Sequence, residues 1–395
     1  MIMVRRICWV VMVALVVGLA AALVSLPSGA ATPEPILLGV SLSLTGRFAD
    51  AALYMKEGYE LWVREVNDRG GIAGRPVRLI IYDDESSADT GRILAERLIF
   101  RNRVFMILGP YSSPITDAVA TVVERAGVPM VATLASDATI WERRRLSWTF
   151  QAFPASTFDH EGFLEVIRRF GVKRVAIIYE ETPFSIGAKE WAVKRASELG
   201  LTVQTFSYPP GSQDFRSIIE RIVAFGAEAV SMGGYYAPSI ALTRQMIERG
   251  FNPKAYQFIT ASDAVTKDAL GPNVEGIFGR SPWEPSGATG KGKEFAKAYL
   301  AAYGRDPTYH SAAAYAGGQL VEAALKAAGT SRIAIRDFLA ASTVPTIMGP
   351  YRVDDRGRQV GFKYMLIQWQ GGTKKIVWPP SVAEARPVFP KPPWR

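Results

Sequence analysis

Cysteine and histidine are the scarcest chemical resources in this chain of 395 residues, with one Cys and two His. The single Cys8 lies in the most apolar stretch, so a disulfide, a Cys-based zinc site or a thiol nucleophile has no parts in the body of the protein. His160 and His310 alone leave most metal and triad chemistry unsupplied, and no cofactor is expected. No Gly-x-Gly-x-x-Gly follows the first apolar run and no Gly-x-Ser-x-Gly occurs, which removes dinucleotide and hydrolase fingerprints. Gly287-Ala-Thr-Gly-Lys-Gly292-Lys293 imitates a phosphate loop, but Glu294 stands where the magnesium-binding Ser or Thr belongs. Strong single-sign charge is also lacking. The net charge of +9 comes from 46 basic and 37 acidic residues that mostly alternate, and the densest run, Glu142 to Arg145, has no interleaved aromatics. A nucleic-acid partner is therefore not expected. What remains is binding chemistry built from hydroxyls, aromatic rings, carboxylates and backbone amides.

A hydrophobic fraction of 48% and this length support two domains with real cores. Arg5 and Arg6 precede an apolar run from Ile7 to Val24, and Pro27-Ser28-Gly29-Ala30-Ala31 supplies small residues for cleavage after Ala30. Residues 1–30 thus read as an export signal, with an uncleaved membrane anchor as the alternative, and the mature protein is expected to be exported. Loss of that segment lowers the net charge to +7. At the other end, Trp378 to Arg395 contains six prolines and reads as an extended tail along the surface.

Between the ends, strand and helix patterns alternate. Ile36 to Ser43 reads as a buried strand, and Ala52, Met55, Tyr59, Trp62, Val63 and Val66 make one apolar helix face ending at Gly70-Gly71. Val77 to Tyr82 is the next strand, followed by helix 89–100, strand 104–108, helix 114–126 and strand 128–132. The rhythm restarts with helix 161–170, strand 173–179, helix 186–199, strand 201–206, helix 214–225, strand 228–232, helix 238–249 and strand 255–260. Such alternation predicts an α/β protein with two doubly wound parallel-sheet lobes. Gly109-Pro-Tyr111-Ser-Ser-Pro114, Glu124-Arg125 and Pro129 recur as Gly233-Gly-Tyr235-Tyr-Ala-Pro238, Glu248-Arg249 and Pro253, all displaced by 124 positions, and Ala-Ser-Asp-Ala occurs at 135–138 and 261–264. Two equivalent lobes would turn equivalent loops toward one ligand.

Those loops carry the candidate site. Ser113 before Pro114 reads as a helix cap whose free amides favour a ligand carboxylate, and Ala135-Ser136-Asp137 adds an amide and a hydroxyl. Tyr235 or Tyr236 and Asp263 suit a cationic amine. Phe48, Phe184 and Trp283 are apolar candidates, Arg47 either supplements the carboxylate site or sits in solvent, and Asp83-Asp84-Glu85 reads as a solvated loop rather than a metal cluster.

Leu38-Gly-Val-Ser-Leu-Ser-Leu-Thr-Gly-Arg-Phe-Ala49, Glu65-Val-Asn67-Asp-Arg-Gly70-Gly71-Ile-Ala-Gly74-Arg-Pro-Val77, Asp83-Asp84, the two glycine-led loops and Pro307-Thr-Tyr-His-Ser-Ala-Ala-Ala-Tyr315 together resemble the branched-chain amino acid type of substrate-binding protein, the type I periplasmic binding proteins of ABC importers. The resemblance spans essentially the whole mature chain. It implies two lobes joined by three hinge strands, residues 31–154 plus 284–351 and residues 155–283 plus 352–378, with 379–395 as the tail. It also implies a non-enzymatic protein that captures a small carboxylate-bearing ligand, foremost an amino acid, for a membrane permease with its ATPases. Ser113, Ala135 and Ser136 then face the ligand carboxylate, Phe184 lies beside the ligand, and Tyr235 or Tyr236 with Asp263, or Ser262 in its place, faces the amino group. The rival is a ligand-sensing receptor of the same fold for an amide or aromatic acid.

Overall fold

The computed structural model describes residues 33–263 and 265–395. The expected export signal and Cys8 lie outside the described residues. Fourteen strands run in chain order: β1 Ile36–Leu42, β2 Val77–Asp83, β3 Met106–Leu108, β4 Met130–Ala132, β5 Thr149–Gln151, β6 Arg174–Glu180, β7 Thr202–Tyr208, β8 Ala229–Gly233, β9 Ala255–Phe258, β10 Phe278–Ser281, β11 Val344–Thr346, β12 Gly349–Tyr351, β13 Met365–Gln370 and β14 Thr373–Trp378. The helices between them are α1 Ala49–Asp68, α2 Ala88–Glu96, α3 Ser113–Ala126, α4 Thr139–Arg143, α5 Glu161–Arg169, α6 Pro183–Glu198, α7 Arg216–Phe225, α8 Tyr236–Glu248, α9 Val265–Leu270, α10 Lys291–Tyr303, α11 Tyr309–Ala328 and α12 Arg332–Ala341. No helix among the described residues is long and apolar enough to cross a membrane.

The strands form two main sheets with one winding order. The first is β2-β1-β3-β4-β5, all parallel, and the second begins β7-β6-β8-β9-β10, also parallel, before β13 and β14 extend its edge antiparallel. The shared order gives the 124-residue sequence echo a structural counterpart, because the loops after β3 and β8 occupy the same place in each sheet. That place is where the winding reverses direction, which leaves a crevice at the carboxyl ends of the strands. The antiparallel edge departs from the purely parallel expectation. It follows from Gly371-Gly372, both at positive φ, which turn β13 directly back into β14 without a crossover helix.

One core packs β1, β3 and β4 against α1, α10, α11 and α12, and α2 and α3 cover the other face of that sheet. Two further clusters cover both faces of the second sheet. The chain passes between the two halves three times, through residues 152–160, 282–290 and 352–364. Close helix contact makes the first core possible. Gly58 of α1 faces the backbone carbonyl of Ser311, and Gly318 of α11 lies against the Trp62 ring, where no side chain would fit.

The proline-rich end lies in irregular backbone after Trp378, which itself closes β14. It is pinned at several points. Phe389 stacks on Phe170 at 4.6 Å, Lys391 donates its amide to the Lys254 carbonyl at 2.7 Å, and the Trp394 indole donates to the Phe251 carbonyl at 2.8 Å.

Candidate functional site

Strand-end loops from both sheets meet at the crevice between them. The first, residues 43–48 after β1, is shaped by two neighbouring carboxylates. Asp84 accepts from the hydroxyls of Ser41 at 3.0 Å and Ser43 at 2.6 Å, and Asp83 accepts from the Thr45 hydroxyl at 2.8 Å. Asp84 is fully buried, and burial pushes its pKa up while those two serines pull it down. The expectation of a solvated acidic loop is thus corrected for Asp84: a hydrogen-bonded carboxylate fixes the backbone that presents Arg47 and Phe48. Among the described residues, no group of acidic, His or Cys side chains could hold a metal ion.

Arg47 departs from both expected roles. Its side chain is 37% exposed, yet its guanidinium lies over the rings of Phe48 at 4.5 Å and Tyr235 at 4.7 Å and pairs with Glu180, at the end of β6, at 3.3 Å. Glu180 is buried, and desolvation raises its pKa against the pull of Arg47. The pair joins the two sheets at their equivalent winding reversals.

The loops after β3 and β8 bring Tyr111 and Tyr235 onto the same ring, Phe48, at 5.3 and 4.7 Å between centroids. These two tyrosines, placed 124 positions apart, line two adjoining chambers. The inner chamber is a half-open cleft with a cavity volume of about 30 Å³, and is bounded by Tyr111, Ser112, Ser113, Leu134, Ser136 and Phe153 from the first half, with Phe184, Gly234, Tyr235, Ile259, Thr260 and Arg280 from the second and Tyr309 from the start of α11. Ser113, Ser136, Phe184 and Tyr235 were therefore placed at one cavity by sequence reasoning, and Phe48 and Tyr236 belong to the outer chamber instead.

The sequence does not single out the one charged side chain that the described residues place on this lining, Arg280 of β10. It is nine-tenths buried, its Nε donates to Asp159 at 2.9 Å, and its guanidinium packs over Tyr364 at 4.6 Å, Tyr309 at 5.5 Å and Phe153 at 5.7 Å. Burial lifts the Asp159 carboxyl to about 6 despite the opposing pull of Arg280. Nη1 of Arg280 has no hydrogen-bond partner, and neither do the buried hydroxyls of Ser112 and Thr260 on the same chamber. A buried donor left unpaired is costly, so this cluster matches an anion with several acceptor positions. The sequence signal was a lone Arg in the short apolar run Ile277-Phe-Gly-Arg-Ser281.

Ser113 is not the cap that its proline neighbour suggested. Ser112 is the capping residue of α3, without a side-chain cap bond, while the Ser113 hydroxyl accepts the amide of Asp137 at 3.1 Å and so ties α3 to the loop after β4. Pro114 marks only the first turn, where its missing N–H costs nothing. Ala135 is buried beside Ala132, Ile140 and Trp141, its carbonyl accepting from Gln151 at 3.0 Å, and Leu134 and Ser136 on either side reach the chamber. Trp283 lies away from both chambers, packed on Phe295 at 5.6 Å.

The outer chamber contains Asp263 among Phe48, Tyr54, Tyr235, Tyr236 and His310. Ser262 turns away and donates to the Arg280 carbonyl at 2.8 Å. Tyr236 donates its hydroxyl to the Val265 carbonyl at 2.9 Å. Burial raises Asp263 to about 7, against weaker attraction from Arg280 and Lys374, and lowers neighbouring His310 to about 3. His310 Nδ1 stands 3.8 Å from Asp263 Oδ1, and neither that oxygen nor His310 Nε2 has a hydrogen-bond partner. A carboxyl whose pKa is raised on folding binds more protons folded than unfolded between its two pKa values, so the stability it contributes falls as pH rises through that window. Asp263→Asn should therefore raise the melting temperature at pH 8 and leave it nearly unchanged at pH 4, as read by calorimetric melting of both proteins at both pH values. An equal effect at the two pH values would contradict the burial argument.

Residues 35–374 match the family model described as periplasmic binding protein. Among curated proteins, the Leu/Ile/Val-binding protein homolog 7 of Brucella suis is 27% identical over 393 residues, covering 92% of this chain and 97% of its own. The branched-chain amino acid transporter substrate-binding protein of Streptococcus pneumoniae, solved with isoleucine, superposes with a TM-score of 0.79 at 20% identity, over 90% of this chain and all of the other. An ABC transporter solute-binding protein of R. palustris, solved with benzoate, gives the same TM-score at 18% identity, over 87% of this chain and 96% of the other.

Proposed function

Because this chain belongs to the periplasmic binding protein family, we propose that it is the exported solute-binding component of an ABC importer, which captures a small carboxylate-bearing ligand between its lobes and hands it to a membrane permease with its ATPases. The observation that carries this reading is the unpartnered Arg280 Nη1 in a chamber whose walls come from both halves of the fold, beside the unpartnered hydroxyls of Ser112 and Thr260. Ser113 and Ser136 complete the carboxylate end and Phe184 with Tyr235 flank the ligand body. Ligand held by both halves favours the closed arrangement, with motion taken up where the chain crosses between residues 31–154 plus 284–351 and residues 155–283 plus 352–378.

Closure also has a contact of its own. Arg47 and Glu180 come from opposite halves and pair at 3.3 Å, so separating the halves would break the pair. Arg47→Ala should weaken ligand binding about tenfold, chiefly through faster release, since a buried carboxylate then loses its partner in the closed state. The test is calorimetric titration of wild type and variant with a panel of amino acids and aromatic and aliphatic carboxylates, together with native mass spectrometry of protein purified without refolding. If no panel member binds and no carboxylate copurifies, the reading fails.

A further inference from the structure

From the distribution of charge between the two chambers, we infer that the inner chamber selects an aromatic monocarboxylate without an α-ammonium group over a zwitterionic amino acid. The inference rests on the carboxylate-binding reading above and narrows it.

An amino acid carries its ammonium on the carbon next to the carboxylate. If Arg280 holds the carboxylate, the ammonium is placed inside the same chamber. Among the described residues, no acidic side chain lines that chamber. Asp159, Asp137 and Asp263 all lie outside that lining. Asp159 holds the Nε of Arg280 at 2.9 Å, and Asp137 accepts the Thr139 amide at 3.0 Å. Asp263 belongs to the outer chamber with His310, on a lining to which Tyr111 and Tyr235 are common. An ammonium in the inner chamber would thus be desolvated beside a guanidinium with no carboxylate on the chamber wall to pair with, which is the costly arrangement for a buried ion. A ligand whose only charge is its carboxylate avoids that cost.

The walls point to a flat ring as the rest of the ligand. Phe153, Phe184, Tyr111, Tyr235 and Tyr309 surround the chamber, with only Leu134 and Ile259 as large aliphatic neighbours. Tyr111 and Tyr235 meet Phe48, and Phe184 stands 5.7 Å from Tyr235, so the rings support one another at tilted and edge-on angles and leave ring faces available for offset contact. The unpartnered Ser112 and Thr260 hydroxyls add hydrogen-bond capacity beyond that of the guanidinium.

Matched pairs isolate the ammonium. Wild-type protein, stripped of copurifying ligand and refolded to its original circular dichroism spectrum, is titrated calorimetrically with 3-phenylpropanoate against phenylalanine, and with benzoate and 4-hydroxybenzoate against leucine and isoleucine. We expect the best aryl carboxylate to bind at least about 100-fold more tightly than any of the amino acids, the discrimination of an uncompensated buried charge. Binding of an amino acid as tight as, or tighter than, every aryl carboxylate overturns this inference and leaves the carboxylate-binding reading standing. Failure of every compound to bind, with no effect of Arg280→Met on any copurifying ligand, overturns both.

Discussion

Arg280→Met should abolish measurable binding of carboxylate ligands, a loss of at least about a thousandfold, and destabilise the ligand-free protein by about 3 kcal/mol. The two effects have separate origins. Binding is lost because the guanidinium is the only cationic side chain on the inner chamber among the described residues. Its position is set in advance by Asp159 and three ring faces, so little ordering entropy is spent when ligand arrives. Stability is lost because Asp159 is left buried without its partner. Pairing the change with Asp159→Asn removes the stranded charge, so the double variant should recover most of the stability and none of the binding. Calorimetric titration and urea unfolding of the three proteins measure the two quantities independently. Tight carboxylate binding by a folded double variant would remove Arg280 from the site.

A large effect on the fold itself is expected from Gly58→Ala. A Cβ there would run into the Ser311 backbone carbonyl, and no side-chain rotation can relieve a clash with main chain. Helices α1 and α11 must then separate, opening a core that is otherwise continuous from Trp62 to Leu325. A destabilisation of about 3 kcal/mol or more should follow, against which the helix-propensity gain of alanine is minor. Because Tyr309 and His310 stand in the first turn of α11, ligand affinity should fall with stability. Gly187→Ala in α6 is the matching control. Its Cβ would meet the Thr139 methyl at 3.7 Å and Asp137 Oδ1 at 4.0 Å, both ordinary contacts, so urea unfolding should show it unchanged or slightly more stable.

Much of this architecture was legible from pattern. Apolar residues at helix spacing from Ala52 to Val66 and short apolar runs between glycines placed the elements, because period and punctuation survive in sequence. The displacement by 124 positions located equivalent loops, and Ser113, Ser136, Phe184 and Tyr235 reached the chamber because strand-end loops of wound sheets converge there. Helix starts were less legible. α6 begins at Pro183 and α8 at Tyr236, earlier than the expected 186 and 238, since a proline in a first turn does not say which residue of that turn it occupies. Arg280 was invisible for a different reason. Its meaning depends on Asp159, Tyr309 and Tyr364, each distant along the chain, and one cation in a short apolar strand has no local signature. Asp263 was placed correctly in its loop, but which side of Tyr111 and Tyr235 it would occupy depends on rings from three loops.

The threefold passage of the chain between halves also bears on how the protein can form after synthesis. Sheet one is laid down by residues 36–151, but the helices that close one of its faces, α10 to α12, arrive after the whole of β6 to β10. Sheet two in turn waits for β13, β14 and the pinned end carrying Phe389 and Trp394. Neither core can be completed from a leading portion of the chain, and contacts of such long sequence separation form slowly. A nascent chain of this topology therefore stays unlocked until nearly all of it has been synthesised.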